Sequence, residues 1–227
     1  MGQPSACPGT ALNVSPVAAR PLAATQQWPL RPNVRQALVA LLGLVAGLAV
    51  FIALQRVVVP RYVWVTWLDE QIPFIAPSWW LYAAFFPFVV LAAAYASAER
   101  FRRFSSATCL AFGVALVYFW LFPEHVPRPD PGTIDNAFLQ QRLARLWQLD
   151  LPSNGCPSLH VAVTCLACAA LWNRPGRWGI GLAGLLICLS TLTLKQHTAI
   201  DVAAGALLAL ACTLATYRQG RAAHVPA

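Results

Sequence analysis

The sequence predicts an all-α, polytopic membrane protein with six transmembrane helices. Of the 227 residues, 58% are hydrophobic and only 11% are charged, whereas charged residues make up about a quarter of an average soluble domain. The hydrophobic residues gather in runs that short basic or proline-containing stretches separate. Because one crossing takes about 20 residues, a chain of this length has room for about six crossings.

Six apolar runs are the predicted transmembrane helices. They cover about 37–58, 78–96, 106–122, 158–172, 178–194 and 198–217. The fourth run is short for a bilayer, which predicts that it is tilted or enclosed by protein. Gly43 and Gly47 in the first run have the spacing that lets two membrane helices pack closely.

Polar segments between these runs predict the connections. Residues 60–77 contain tryptophans, acids and prolines and are typical of an interfacial segment. Residues 99–103 predict a basic loop, and residues 173–177 a tight turn. The longest connection, 123–157, contains apolar residues at helical spacing over 136–149, which predicts a short surface helix.

The two ends of the chain predict tails around a single domain. Residues 1–33, rich in alanine and proline, are expected to be a disordered tail, residues 34–218 the six-span domain, and 219–227 a second tail. The loops on the side of both termini are almost purely basic, which places the tails in the cytoplasm of a multi-pass inner (plasma) membrane protein. This distribution explains the net charge of +8 without a nucleic-acid partner.

The most informative stretch is 190–201, between the last two apolar runs. It contains Lys195, the only lysine of the chain, followed by His197 and Asp201. A helix starting here puts the histidine and the acid on one face, where a carboxylate fixes the imidazole tautomer. Ionisable groups at the edge of hydrocarbon are candidate functional groups. The alternative is that they mark where two membrane helices reach water, with His197 as a polar cap.

Two further segments are expected on the same outer face. Residues 155–160 open the fourth run with Pro157, Ser158 and His160, and the N–H groups after such a proline form an anion-binding helix end. Arg128 lies in a proline-rich part of the long connection. The alternatives are an ordinary helix start and a solvated arginine.

Taken together, the three segments predict a site for a tetrahedral oxyanion, most simply a phosphate. They bring two helix N-termini, two histidines, a lysine, an arginine and a serine to one membrane face, and most of these groups are donors or cations. A metal site is less attractive because the lysine and arginine would repel the ion. We therefore expect no metal and no other cofactor.

These segments resemble the three signature motifs of the type 2 phosphatidic acid phosphatase superfamily, which also contains vanadium haloperoxidases and sphingolipid head-group transferases. The matching residues are Arg128-Pro129, Pro157-Ser158-Leu159-His160, and Ser190 with His197 and Asp201. The resemblance covers about 37–217 and implies the helical phosphatase core of the membrane branch. It implies that His197 is a nucleophile forming a phosphohistidine, Asp201 orients it, and His160 protonates the leaving alkoxide. It also implies that phosphate oxygens are bound by Arg128, Ser158 and the amide of Leu159.

Several positions depart from the family pattern. The first-motif lysine falls at Leu121, the third-motif arginine at Thr191, and the glycine before the second-motif histidine at Leu159. Lys195 is expected to replace a lost phosphate-binding cation. The Lys-Gln-His sequence ending at His197, the Pro-Ser-Leu-His sequence and residues 68–74 are similar to the inositol-phosphotransferase-like branch.

The resemblance implies a metal-independent lipid phosphate phosphatase whose partners are a lipid phosphate and the bilayer. If an alcohol replaces water as acceptor, the enzyme would be a phosphotransferase that moves a phospho-head group of the inositol-phosphate type between lipids. A non-enzymatic transporter or scaffold is the alternative outside enzymes, but transport predicts ionisable residues near mid-span, and the sequence has them at one membrane edge. A vanadate haloperoxidase is not expected of a membrane-embedded chain.

Overall fold

The computed structural model describes residues 31–222, with side chains to 216, and every regular element in this part of the chain is helical. The α-helices are α1 (Val34–Val57), α2 (Trp67–Gln71), α3 (Trp79–Ala83), α4 (Phe85–Tyr95), α5 (Ala98–Leu121), α6 (Ala137–Leu149), α7 (Leu159–Leu171), α8 (Arg177–Thr193) and α9 (Ala199–Ala222). Two short 3₁₀ turns cover Ala76–Ser78 and Pro131–Thr133. The predicted all-α class is confirmed for the described residues. Most of the first predicted tail (1–30) and the end of the second (223–227) lie outside them.

All six predicted apolar runs form helices, but only four of these helices are long and apolar enough to cross a bilayer. These four are Val34–Val57, Ala76–Tyr95, Ala98–Leu121 and Ala199–Thr216. Helices α7 and α8 are apolar but have only 13 and 17 residues. A crossing of about 30 Å takes about 20 helical residues, so the six transmembrane helices of the prediction are not confirmed.

Helix α7 forms the centre of the bundle. It contacts α4, α5, α8 and α9, and eight of its 13 residues are buried. Small side chains such as Ala162 and Ala167, both fully buried, let the neighbouring helices approach it. The short fourth run is thus enclosed by protein, as one of the two sequence-based alternatives predicts.

The basic loop predicted at 99–103 is the first turn of α5. The Ser97 side chain accepts a hydrogen bond from the Arg100 amide and caps the helix, Glu99 lies in its first turn, and Glu99 pairs with Arg103. A capping serine, an acid at the N-terminus and an i,i+4 ion pair all stabilise a helix start. Charge composition predicted a loop here, whereas these local interactions extend the helix.

The surface helix predicted at 136–149 is present as α6. Asn136 caps it by accepting a hydrogen bond from the Leu139 amide at 3.0 Å. Its apolar face buries Leu139 and Leu143 against Tyr82 and Leu194. Helix α6 therefore lies across the ends of the bundle helices.

Contacts between loops divide the molecule into two ends. At one end the Gln55 side chain donates to Asp150 Oδ1 at 2.9 Å, and the Ile75 amide donates to the Thr193 carbonyl. We call this the site end; it contains residues 58–78, 122–158 and 194–198. At the opposite end the Asn33 amide donates to the Ala94 carbonyl, and Arg100 to Ala169.

A pair of charged residues fastens α2 to the turn between α8 and α9. Lys195 Nζ donates to the carbonyls of Asp69 and Ile72 at 2.7 and 2.6 Å. The Asp69 carboxylate accepts from the Ala199 amide at the start of α9, at 2.7 Å, and from the Thr66 amide at 2.8 Å. The interfacial segment is thereby fixed to the turn that contains His197.

We predict that Asp69→Ala lowers the free energy of unfolding by about 1–2 kcal/mol, because the first amide of α9 loses its capping carboxylate. Thermal unfolding in detergent micelles measures this change. Glu70→Ala, at the adjacent exposed acid, is the matched control and should stay within about 0.5 kcal/mol of the parent protein. Equal stability of the two variants would contradict the capping role of Asp69.

Candidate active site

The turn between α8 and α9 places His197 against Asp201. The amides of Gln196 and His197 both donate to the Thr191 carbonyl, at 2.9 and 3.2 Å, which reverses the chain after α8. Asp201 Oδ2 accepts from the Thr198 amide at 2.7 Å and lies 3.4 Å from His197 Nδ1. Asp201 is fully buried, and the His197 side chain is 12% exposed. A carboxylate at Nδ1 leaves Nε2 as the nitrogen available for chemistry.

His160 lies close to His197 on the start of α7. The two imidazole centroids are 6.3 Å apart. The His160 ring stacks on Tyr82 at 4.4 Å and contacts Phe85 at 4.1 Å, and its buried Nε2 has no hydrogen-bond partner among the described residues. The two histidines of the second and third motifs therefore share one site.

Arg128 brings the first motif to the same place. Its guanidinium donates to the Gln196 side-chain oxygen at 2.8 Å and to the Asp150 carbonyl at 2.5 Å, and it lies 3.5 Å from the Asp150 carboxylate. Burial lowers the pKa of Arg128, and the charge of Asp150 opposes that shift. The guanidinium is held as a buried cation whose Nε has no partner within the described residues.

Ser158 has a structural role in the site, because its hydroxyl caps helix α7. Its Oγ accepts from the Val161 amide at 3.3 Å as the N-cap of α7, and its own amide donates to the Asp201 carbonyl at 3.0 Å. The residue is fully buried and does not line the cavity described below. The Ser158 hydroxyl is thus engaged as the helix cap, and phosphate binding by Ser158 stays a prediction. Leu159 and His160 do line the cavity, and their amides begin α7, where helical N–H groups lack intrahelical acceptors.

Lys195 is bonded outside the cavity, and its role as a replacement for a lost phosphate-binding cation stays a prediction. Its ammonium group is bonded to the Asp69 and Ile72 carbonyls, and the residue does not line the cavity. Among the lysine and arginine side chains of the described residues, Arg128 is the one that lines the cavity. The α9 N-terminus is likewise closed to an anion, because the carboxylates of Asp69 and Asp201 already accept its first N–H groups. Of the two predicted helix ends, only that of α7 faces the cavity.

Sequence reasoning missed three residues of the site. Asn154 and Gln196 are 1% and 3% exposed and line the cavity. Both side-chain polar atoms of Asn154, and Nε2 of Gln196, have no hydrogen-bond partner in the described residues. The third is Glu124, which is fully buried next to Asp201. Their position in the sequence could have indicated them, since each lies within four residues of a motif.

A cavity of about 760 Å³ joins these polar groups to an apolar groove. Arg128, Asn154, His160, Gln196 and His197 line its polar end. The remainder is lined mainly by apolar residues of α1, α4 and α5. Along α1 the lining extends from Val39 to Ile52, which is roughly 20 Å at 1.5 Å per residue.

Glycines widen this groove. A Cβ on Gly43 or Gly113 would meet no atom within 4 Å, and both residues line the cavity. A Cβ on Gly47 would lie 3.0 Å from the Phe112 ring. The close helix packing predicted for the glycine pair of α1 is therefore present at Gly47 but wrong at Gly43.

Within residues 31–216, no group of three or more His, Cys, Asp and Glu side chains is arranged to hold a metal ion. The site offers instead a cation, helix amides and two imidazoles around an open space. Such a donor set suits a tetrahedral oxyanion, whose oxygens accept hydrogen bonds from cationic and N–H groups.

A family model described as the PAP2 superfamily matches residues 48–215. No curated protein and no solved structure matches the chain. The matched segment covers most of the chain and includes Arg128, His160, His197 and Asp201 together with the helices that position them. The chain belongs to the PAP2 superfamily, which indicates phosphatase-type activity.

Proposed function

We propose that the protein is a membrane-embedded phosphatase that hydrolyses the phosphomonoester or pyrophosphate of a lipid without a metal ion. The observation that carries this proposal is the continuity of the cavity. One space joins His160, His197 and Arg128 to an apolar groove roughly 20 Å long. A lipid phosphate has the matching two-part chemistry, an anionic head and an apolar chain.

The proposed reaction uses the two histidines in sequence. His197 Nε2 attacks phosphorus while Asp201 holds Nδ1–H, so that a P–N bond forms as the P–O bond to the lipid breaks. His160 donates the proton that the leaving oxygen takes up. Water then attacks the phosphohistidine, His160 accepts its proton, and the P–N bond breaks to release phosphate.

The surroundings supply the charges that this chemistry needs. The Arg128 guanidinium and the first amides of α7 stabilise the equatorial phosphate oxygens, which carry most of the charge in the transition state. A bound phosphate dianion also favours the protonated form of His160. The aromatic faces of Tyr82 and Phe85, which contact the imidazole, attract a cationic ring.

In this proposal all six apolar helices cross the membrane, with the short helix α7 doing so inside the protein. The turns rich in arginine, 99–103 and 173–177, lie at the end opposite the site. Because cytoplasmic loops carry an excess of arginine and lysine, we place both termini in the cytoplasm and the active site on the outer face.

Transfer of a phospho-head group to an alcohol is a second candidate. It is favoured by the buried amide groups of Asn154 and Gln196, which line the cavity with unpaired polar atoms. Such groups can bind the hydroxyls of a polyol acceptor. Products formed from a panel of lipid phosphates and phosphoinositides, with and without added myo-inositol, distinguish the two. Free phosphate supports hydrolysis. Inositol monophosphate formed from a lipid monophosphate, or a new phosphodiester formed from a phosphoinositide, supports transfer.

We predict that His197→Ala and His160→Ala each reduce phosphate release by at least about 1,000-fold, because the first removes the nucleophile and the second the proton donor. The measurement is phosphate release from a lipid phosphate by purified protein in detergent containing a metal chelator. His125→Ala is the matched control, since His125 is exposed and does not line the cavity.

The His125 variant should retain turnover within about twofold, since its surface substitution leaves the site unchanged. Vanadate, an analogue of the phosphate in its five-coordinate state, should inhibit the parent protein. Parent-like turnover in either cavity variant, with normal membrane insertion, would refute the assignment of the histidines.

We predict that Gly43→Leu lowers kcat/KM for a long-chain lipid phosphate by about tenfold or more, equivalent to about 1.4 kcal/mol of lost binding. The side chain enters the open groove rather than a packed core, so that it excludes the lipid chain without disturbing the fold. For a short-chain, water-soluble phosphate ester, kcat/KM should change by less than about twofold, since such an ester does not reach Gly43.

Gly179→Leu is the matched control for this variant. Gly179 is also a helical glycine with open space at its Cβ, but it does not line the cavity. This control should leave both substrates unaffected. Equal losses on long and short substrates in the Gly43 variant would show that the groove does not hold the lipid chain.

A further inference from the structure

Glu124 is a buried carboxyl group to which the mechanism above gives no task. It is fully buried, and neither of its side-chain oxygens has an N–H or O–H hydrogen-bond donor among the described residues. Asp201 is also fully buried, and its Oδ1 has no such donor either. A buried acid without a partner is costly, so the pair requires an explanation.

Gly155 is the residue that allows the two acids to meet. A Cβ at this position would lie 2.7 Å from Asp201 Oδ2 and 2.9 Å from Glu124 Oε2. Any side chain would therefore push the two carboxyl groups apart. With glycine at this position, the carboxyl groups of Glu124 and Asp201 lie next to each other on the same side of the Gly155 backbone.

Such a contact requires a proton, since two carboxylates present only acceptors to each other. Burial, followed by the charge of Asp201, raises the pKa of Glu124 to about 9. Glu124 is thus the acid that keeps its proton at neutral pH. Placing the proton there satisfies both groups.

The other ionisable groups around Glu124 leave this assignment unchanged. The nearest are the Cys156 thiol and the Tyr118 hydroxyl, together with His197, which faces the Asp201 carboxylate. Burial and the two acids raise the pKa of Cys156 to about 12, so it stays a neutral thiol.

We propose that Glu124 is a positioning residue whose carboxylic acid donates a hydrogen bond to Asp201 and so holds it as an ionised acceptor for His197. The inference rests on the proposed role of His197 as nucleophile. The donated bond fixes the Asp201 carboxylate beside the imidazole. It also leaves a single negative charge, rather than two, beside His197.

The test compares a variant that keeps the donor with one that removes it. Glu124→Gln presents an N–H to Asp201 and should keep kcat within about threefold of the parent protein at pH 7, a change of about 0.6 kcal/mol. Glu124→Leu has no donor and should lose kcat by roughly 10- to 100-fold, the range found when a group that orients a metal-binding histidine is removed. Both should insert and bind substrate with similar KM.

The pH profile gives a readout that a merely structural role would not change. In the parent protein Glu124 loses its proton as the pH rises through about 9, two carboxylates then repel each other, and kcat should fall. Glu124→Gln cannot ionise, so this alkaline fall should be absent. A fall of the same size and midpoint in that variant would overturn the proposal, as would parent-like activity in Glu124→Leu or equal losses in both variants.

A stability measurement tests the proton without any substrate. The pKa of Glu124 is raised from 4.5 to about 9 on folding, so the folded state binds the extra proton and the stability of the parent protein decreases between those pH values. Unfolding in detergent should therefore show the parent protein losing stability relative to Glu124→Gln as the pH rises from 4.5 to 9. In the folded parent protein, the infrared band of a protonated carboxylic acid should be lost only as the pH rises through about 9.

These readouts separate the two hypotheses. If the parent protein releases no phosphate from any lipid, the proposed function fails. The relative stability and the infrared band then still decide whether Glu124 carries the proton. If phosphate is released but both variants have the same pH dependence of stability as the parent, the role of Glu124 fails while the proposed function stands.

Discussion

The segments of the site meet around the buried carboxylate of Asp201. Its side chain accepts from the Thr198 amide at 2.7 Å and faces His197 Nδ1 at 3.4 Å, and its carbonyl accepts from the Ser158 amide at 3.0 Å. One residue thereby caps α9, faces an imidazole and connects to the start of α7. The arrangement of these three segments therefore depends on this one buried residue.

Small residues make that arrangement sterically feasible. A Cβ on Gly205 of α9 would collide with the Ser158 carbonyl at the start of α7. A Cβ on Gly155 would collide with the carboxyl group of Asp201. Close backbone approach is the physical reason for glycine at both positions, and it lets polar groups pair inside an otherwise apolar bundle.

The cavity shows how the same helices serve two chemistries. Its polar end lies where helices α7 and α9 begin, and its apolar part runs along α1, α4 and α5. Gly43 and Gly113, both exposed and without neighbours at their Cβ positions, open the groove towards the surroundings of the bundle. A ligand with an anionic head and an apolar chain therefore matches the polar and apolar parts of the cavity.

The sequence by itself determined the helical class, the positions of the six apolar helices and the surface helix α6. Hydrophobic periodicity carries that information, because helices are local features. The meeting of Arg128, His160, His197 and Asp201 was expected from the number of membrane crossings and from the resemblance of their motifs to a known family. Only the tertiary structure decided what Ser158 and Lys195 bond to, and that Glu124, Asn154 and Gln196 belong to the site. The sequence does not indicate whether Lys195 binds a phosphate or the carbonyls of Asp69 and Ile72, since both carbonyls lie more than 120 residues away along the chain. Long-range packing determines which donor reaches which acceptor. The spacing of residues along the chain does not predict these pairs.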